Sequence, residues 1–134
     1  MNVFFYGLFM DEALLASKGI SVGNTSVGHV DGFVLRIGAR ATLLPSEGAR
    51  AYGVVMTISE NEADDLYADS SVADYVPEPV IVELPDGRTI DAVCYNLPAD
   101  KVAGTNKAYA KSLIEVATEL GLPDAYLDEI RSAG

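Results

Sequence analysis

The sequence predicts an α+β fold in which helices pack on the outside of a strongly curved, mostly antiparallel sheet or partial barrel. Two features indicate this class. Short β-rich stretches, separated by glycine- and proline-containing turns, dominate residues 3–97, and the last third carries apolar residues at helical spacing. The length of 134 residues fits one domain covering residues 1–134.

The predicted strands follow the apolar, β-branched and aromatic runs. The first run stops at Gly7, and later runs are broken at Gly38 and by the Pro-Ser-Glu-Gly sequence at 45–48. The Asp86-Gly87 pair between two such runs is a strong hairpin signal. We therefore predict strands at about residues 3–6, 27–37, 40–44, 49–57, 75–84 and 89–97.

Helix signals lie between and after these strands. Residues 11–17 begin with two acids and precede Gly19, which predicts a short helix. Ser59 and Glu62 form a capping-box pattern for a second helix, running to about residue 68. Thr105 can cap a third helix that ends at Gly121. Asp124 is predicted to cap the last one, through Arg131.

Composition and charge exclude several classes of function. Apolar residues make up 49% of the chain and charged residues 22%, as in ordinary globular proteins. The net charge of −11 disfavours nucleic acids and anionic membrane surfaces as partners. No apolar run approaches the ~20 residues of a membrane-spanning helix. Since Cys94 is the single cysteine and nothing indicates export, we expect a cytoplasmic protein.

The common catalytic constellations are missing from the sequence. His29 is the only histidine, and Cys94 lies 65 positions further on, so we expect both to be structural. Two such residues cannot build a metal centre, and no glycine-rich phosphate loop is present. We expect neither a metal nor an organic cofactor.

The end of the first strand is the most suggestive local feature. Gly7 follows a buried apolar run, and glycine lets the backbone turn sharply there. Successive N–H groups exposed at such a turn can hold a carboxylate or a developing oxyanion. A plain tight turn between strand and helix is the alternative interpretation.

Several segments together resemble the γ-glutamylcyclotransferase-like family. Residues 6–9 (Tyr-Gly-Leu-Phe) are similar to its N-terminal signature, and residues 41–45 (Ala-Thr-Leu-Leu-Pro) with 51–55 (Ala-Tyr-Gly-Val-Val) to its central stretch. The segment from residue 58 to Tyr75 and residues 80–82 resembles its short helix, loop and next strand, and residues 109–126 its Gly-Leu-Pro tail. The resemblance covers nearly the whole chain in the right order and implies the fold of that family.

The resemblance also implies a chemistry and a site. Members cyclise a γ-glutamyl amine or peptide to 5-oxoproline, an acyl transfer in which the substrate's own α-amine attacks its side-chain carbonyl. Proximity is then largely supplied by the substrate, and the protein must hold it and take a proton from its ammonium group. The substrate-binding residues that the resemblance implies are Tyr6, Gly7, Leu8, Phe9, Ser70 and Tyr75.

The chain departs from the family at the catalytic base. The family glutamate lies four residues after the leucine that Leu66 matches, and this position is Ser70. A serine hydroxyl is a far weaker base than a carboxylate with a pKa of about 4.3. Asp69 or Glu78 could replace the glutamate, although both could be solvated surface acids. The alternative is a catalytically degenerate small-molecule-binding protein on the same scaffold.

Three arginines could assist an anionic substrate. Arg36, Arg40 and Arg50 lie within fifteen residues of one another in the predicted central sheet. A cluster facing a cavity would bind carboxylates through paired hydrogen bonds. Outward-pointing arginines, alternating along their strands, are the more common arrangement. The leaving group and the oligomeric state are not indicated by the sequence.

Overall fold

The computed structural model describes residues 1–69 and 71–133 and confirms the predicted α+β class. Five strands close into a barrel in the order β1-β3-β2-β4-β5. Their bounds are β1 Asn2–Phe5, β2 Thr25–Ile37, β3 Ala41–Thr57, β4 Val76–Glu83 and β5 Thr89–Asn96. Neighbours are antiparallel except β1 and β5, which pair in parallel and close the barrel. The end of β1 and the beginnings of β3 and β4 lie at one end of the barrel and surround the site described below.

Four α-helices accompany the barrel. They are α1 Glu12–Ser17, α2 Glu60–Tyr67, α3 Lys107–Glu119 and α4 Asp124–Ala133, with short 3₁₀ helices at Leu8–Met10 and Ala99–Lys101. The capping box of α2 forms as predicted: the Glu62 N–H donates to Ser59 Oγ at 3.1 Å, and the Ser59 N–H donates to Glu62 Oε1 at 3.0 Å. In the described residues no helix is long and apolar enough to cross a membrane.

Three predictions about where elements begin or end are wrong. The strands expected at 40–44 and 49–57 are one continuous strand, because Pro45 lies opposite Phe33 beside a bulge and the ladder continues past it. Asn106, not Thr105, caps α3, because its Oδ1 accepts from the Tyr109 N–H at 2.9 Å. Asp124 is the first residue of α4 and lies inside the helix that it was predicted to precede.

The barrel interior is packed with apolar side chains. Val3, Phe4 and Phe5 of β1 are all buried, as expected for a strand covered on both faces. Gly53 of β3 lies so close to this strand that a Cβ there would collide with the Phe5 carbonyl oxygen and the Phe4 ring. The close contact between β1 and β3 sets where the chain leaves β1.

Candidate functional site

The chain turns sharply after β1, as the sequence predicted. Gly7 precedes the 3₁₀ helix Leu8–Met10, and its backbone lies against the side chain of Tyr109 from α3. The Leu8 N–H donates to the Tyr109 hydroxyl at 3.1 Å. The N–H groups of Gly7 and Phe9 donate to no acceptor within residues 1–69 and 71–133. The turn therefore has one amide held by a side chain and two without an acceptor in the described residues.

A cavity of about 350 Å³ opens at this turn, at the end of the barrel where β1 ends and β3 and β4 begin. We refer to it as the turn cavity. Its lining residues are Phe4, Phe5, Tyr6, Gly7, Leu8, Phe9, Leu14, Lys18, Ala39, Arg40, Ala41, Tyr67, Ser71, Val72, Tyr75 and Tyr109. Its volume lies at the lower end of the range for small-molecule sites.

The turn cavity brings together most of the residues that the sequence singled out. Tyr6, Gly7, Leu8 and Phe9 form one side, and Tyr75 lies at the start of β4 on another. The Tyr75 hydroxyl donates to the Ala41 carbonyl oxygen, which ties the 71–75 loop to the start of β3. Ser70, which was also expected here, lies outside the described residues.

Two cations line the turn cavity. Arg40 donates to the Ser71 carbonyl oxygen at 3.2 Å and lies 3.4 Å from Asp74 Oδ2, with its guanidinium 6.0 Å from the centre of the Tyr75 ring. Lys18, at the end of α1, was not anticipated, because an exposed lysine after a short helix carries no sequence signal. The charged side chains that line the turn cavity in the described residues are therefore both cations, and Arg40 also contacts the carboxylate of Asp74.

The other two arginines of the expected cluster lie elsewhere. Arg50 pairs with Asp31 at 2.8 Å on the barrel surface, and Arg36 is exposed on β2. Neither lines the turn cavity. Side chains alternate between the two faces of a strand, and both arginines lie on the outward face of their strands, which is the more common arrangement.

Aromatic rings make one wall of the turn cavity rigid. Phe9 contacts both Phe5 and Tyr67 edge to face, with ring centres 6.0 and 5.9 Å apart. Tyr67 also stacks on Tyr95 at 3.9 Å. Burial raises the pKa of Tyr67 well above its usual range, so its hydroxyl stays protonated at neutral pH.

Asp69 does not face the turn cavity. Its carboxylate accepts hydrogen bonds from the Ser71 N–H at 2.9 Å and from Ser71 Oγ at 2.8 Å, and the side chain is exposed. These hydrogen bonds lower the pKa of Asp69. Because a lower pKa means a weaker base, Asp69 is poorly suited to take a proton from an ammonium group.

Glu78 lies on the inner side of β4 but outside the lining of the turn cavity. It shares its strand face with Val80 and Val82, which are both buried. Its carboxylate accepts from the Asn96 side-chain amide, and Asn96 Oδ1 accepts in turn from the Leu43 N–H at 3.3 Å. The two predicted stand-ins for the base, Asp69 and Glu78, are therefore both engaged by other groups of the chain.

Other chemically competent side chains are buried or remote from the turn cavity. Burial raises the pKa of Cys94 to about 12, so its thiol is protonated and a poor nucleophile at neutral pH. His29 Nε2 lies 3.2 Å from Glu83 Oε2 and 4.0 Å from Asp31 Oδ1, in another part of the barrel. Within the described chain no three His, Cys, Asp or Glu side chains are grouped as metal ligands.

The contact between Gly7 and Tyr109 yields a prediction about stability. We expect Gly7→Ala to lower the free energy of unfolding by about 2 kcal/mol, because its Cβ would overlap the Tyr109 hydroxyl oxygen. Tyr109→Phe alone should cost about 1 kcal/mol through the lost hydrogen bond to Leu8. The double variant should lose less free energy of unfolding than the two single variants lose together. The reason is that phenylalanine lacks the overlapping hydroxyl oxygen, and the next atom, Tyr109 Cζ, is 3.7 Å from the added carbon. Urea denaturation of the four proteins measures this coupling, and additive losses would contradict it.

The chain has the γ-glutamylcyclotransferase-like fold that the resemblance in its sequence implied. A family model described as AIG2-like matches residues 50–130. The chain belongs to this AIG2-like family. No curated protein sequence matches it significantly.

Solved structures share the whole fold. A structure described as a γ-glutamyl cyclotransferase is 22% identical with a TM-score of 0.82, covering 98% of this chain and 86% of its own. An uncharacterised protein from Homo sapiens gives 22% identity, a TM-score of 0.80 and the same coverages. YkqA from Bacillus subtilis is 21% identical with a TM-score of 0.77, and the match covers 98% of this chain and 53% of the YkqA chain. At these identities the likeness establishes the fold alone.

Proposed function

We propose that this chain binds a small carboxylate-bearing compound in the turn cavity and has lost the base with which the γ-glutamylcyclotransferase scaffold performs catalysis. One observation carries the proposal. Of the described residues that line the turn cavity, Lys18 and Arg40 are the charged ones, and none is Asp or Glu. A carboxylate placed there gains charge-assisted hydrogen bonds, and the free amides of Gly7 and Phe9 add donors of the same kind.

The missing carboxylate bears directly on turnover. Cyclisation requires the α-amine of a γ-glutamyl compound to lose a proton before its nitrogen can attack the side-chain carbonyl carbon. General-base assistance to such a step is typically worth ~10²–10⁴ in rate. Ser70 holds the position of the family glutamate, and Asp69 is bonded to Ser71. Binding without efficient turnover is what this set of groups supports.

Cyclotransferase activity on a γ-glutamyl amine or peptide is the second candidate, and the placement of Glu78 favours it. This acid lies on the inward face of β4, three residues after Tyr75 of the turn cavity. In this candidate Glu78 releases Asn96 and takes a proton from the ammonium group, and the freed nitrogen attacks the side-chain carbonyl carbon. The bond from this carbon to the leaving nitrogen then breaks as Glu78 returns a proton to that nitrogen, which releases the amine and leaves 5-oxoproline. In either case we propose a small molecule as the partner rather than a nucleic acid or membrane, and a cytoplasmic location, which the net charge of −11 and the single cysteine support.

Two measurements on the unmodified protein test the proposal. Isothermal titration calorimetry with a panel of small carboxylates should detect saturable one-site binding, and incubation with γ-glutamyl amines should yield 5-oxoproline only at the spontaneous rate. Failure of every carboxylate to bind would overturn the proposal. Turnover above background that Glu78→Gln abolishes would replace it with the second candidate.

A further inference from the structure

The charged groups at the wall of the turn cavity all have the same sign. They are the cations of Lys18 and Arg40, of which Arg40 also contacts Asp74, and the N–H groups of Gly7 and Phe9 add donors that meet no acceptor in the described residues. The Tyr67 hydroxyl, protonated at neutral pH, can donate as well. A ligand that fits these groups must therefore offer mainly acceptors.

Four carbonyl oxygens at the same wall already accept hydrogen bonds. The carbonyl oxygens of Gly7 and Leu8 accept at 3.0 Å from N–H groups of the following 3₁₀ turn. The carbonyl oxygens of Ala41 and Ser71 accept from Tyr75 and Arg40. A ligand's ammonium group, which has three donors and no acceptor, would have to compete with these internal bonds.

Nearby carboxylates do not correct the imbalance. Asp74 is turned to Arg40 and half exposed, and Asp69 is bonded to Ser71 and exposed. An ammonium group in the turn cavity would share the space with two protein cations and no lining carboxylate among the described residues. Removing a charge from water without a partner is expensive, and like charges nearby add to the cost.

The aromatic wall also suits an uncharged group. Phe9, Tyr67 and Tyr109 present ring surface to the turn cavity, and Tyr75 already has Arg40 near its face. The methyl or methylene groups of an acyl chain bury apolar area against such rings without a desolvation penalty. The volume of about 350 Å³ accommodates a molecule of amino-acid size with a short acyl group.

We propose that the ligand of the turn cavity is an N-acylated amino acid, a carboxylate whose nitrogen is an uncharged amide, and that the cavity discriminates against compounds with a free α-ammonium group. This inference rests on the proposed binding function. The carboxylate lies with Arg40, Lys18 and the free turn amides, and the acyl group packs on the aromatic wall. The selectivity is thus opposite to that required by a cyclotransferase, whose substrate reacts through its free α-amine.

A matched pair of ligands tests this selectivity on the unmodified protein. Calorimetric titration with γ-glutamylpropylamide and with its N-acetyl derivative compares two molecules that differ in the charge of one nitrogen and in the acetyl group that it carries. We expect the N-acetyl compound to bind at least about tenfold more tightly, a difference of about 1.4 kcal/mol. Equal affinity, or tighter binding of the free amine, overturns the inference and leaves the proposed function standing. Binding of neither compound, nor of any carboxylate in the panel, overturns the proposed function itself.

A pair of arginine variants locates the binding. Arg40→Gln should weaken the N-acetyl compound by about tenfold or more, because it removes a cation from the cavity wall. Arg36→Gln removes the same charge from an exposed position on β2 outside the cavity and should leave the affinity unchanged. Equal weakening by both variants would mean a net-charge effect and would overturn the assignment to the turn cavity. The ligand pair on the unmodified protein tests the selectivity even if Arg40→Gln folds poorly.

Discussion

A glutamate in place of Ser70 should raise the rate of 5-oxoproline formation from a γ-glutamyl amine at least about a hundredfold above that of the unmodified chain. The substitution restores a carboxylate at the family's base position, and general-base assistance contributes ~10²–10⁴ in rate. The next residues along the chain, Ser71 and Val72, line the turn cavity, so position 70 is directly beside it in sequence. The new carboxylate would also supply the partner that a substrate ammonium group lacks.

The matched control for this gain is Ser70→Gln. Glutamine has nearly the same size as glutamate and cannot accept a proton at neutral pH, so it should leave the rate at background. Chromatographic measurement of 5-oxoproline over time compares the three proteins. Equal rates for the glutamate and glutamine variants, with both correctly folded, would show that the missing base is not what limits turnover.

Gly53→Ala should be the most destabilising single methyl addition among the sites discussed. The added carbon would overlap the Phe5 backbone carbonyl, which cannot rotate away as a flexible side chain can, and also the Phe4 ring. Overpacking of this kind usually costs 1–3 kcal/mol, and we expect about 3 kcal/mol here because β1 must move relative to β3. For a chain of this length the midpoint of thermal unfolding should fall by about 10 °C.

Gly23→Ala provides the matched control for Gly53→Ala. The nearest atoms to its added carbon belong to Thr57 and lie 3.5 Å away, an ordinary packing distance. The free energy of unfolding should stay within about 1 kcal/mol of the parent or rise slightly, because alanine restricts the unfolded chain. Differential scanning calorimetry of both variants and the parent measures these differences in the midpoint of thermal unfolding. A Gly53 variant as stable as the Gly23 variant would contradict the close approach of β1 and β3.

The elements that could be predicted from the sequence are those fixed by local chemistry. The hairpin at Asp86-Gly87 and the capping box of Ser59 and Glu62 form as expected because turn and cap preferences act within a few residues. The turn at Gly7 was also predicted from local chemistry, whereas the meeting of residues 6–9 with Tyr75 followed from the family resemblance. Their roles in binding stay predictions.

What could not be predicted depends on distant contacts. Pro45 interrupts a local strand pattern, yet the partner Phe33 and a bulge carry the ladder across it. Which arginine reaches the turn cavity depends on the hairpin between β2 and β3 and on the 71–75 loop, and of three candidates only Arg40 does so. The hydrogen bond from the Leu8 N–H to the Tyr109 hydroxyl joins residues 101 positions apart, and such a contact produces no periodic pattern in the sequence.

That hydrogen bond also determines when the turn cavity becomes complete during protein synthesis. The five strands lie within the first 96 residues, whereas Tyr109 belongs to a helix that is translated after all of them. In a nascent chain that does not yet include α3, the Leu8 N–H lacks the Tyr109 hydroxyl as its acceptor, and one side of the cavity is missing. A ligand that needs the finished cavity can therefore stabilise only a chain that already includes α3, and not the barrel alone.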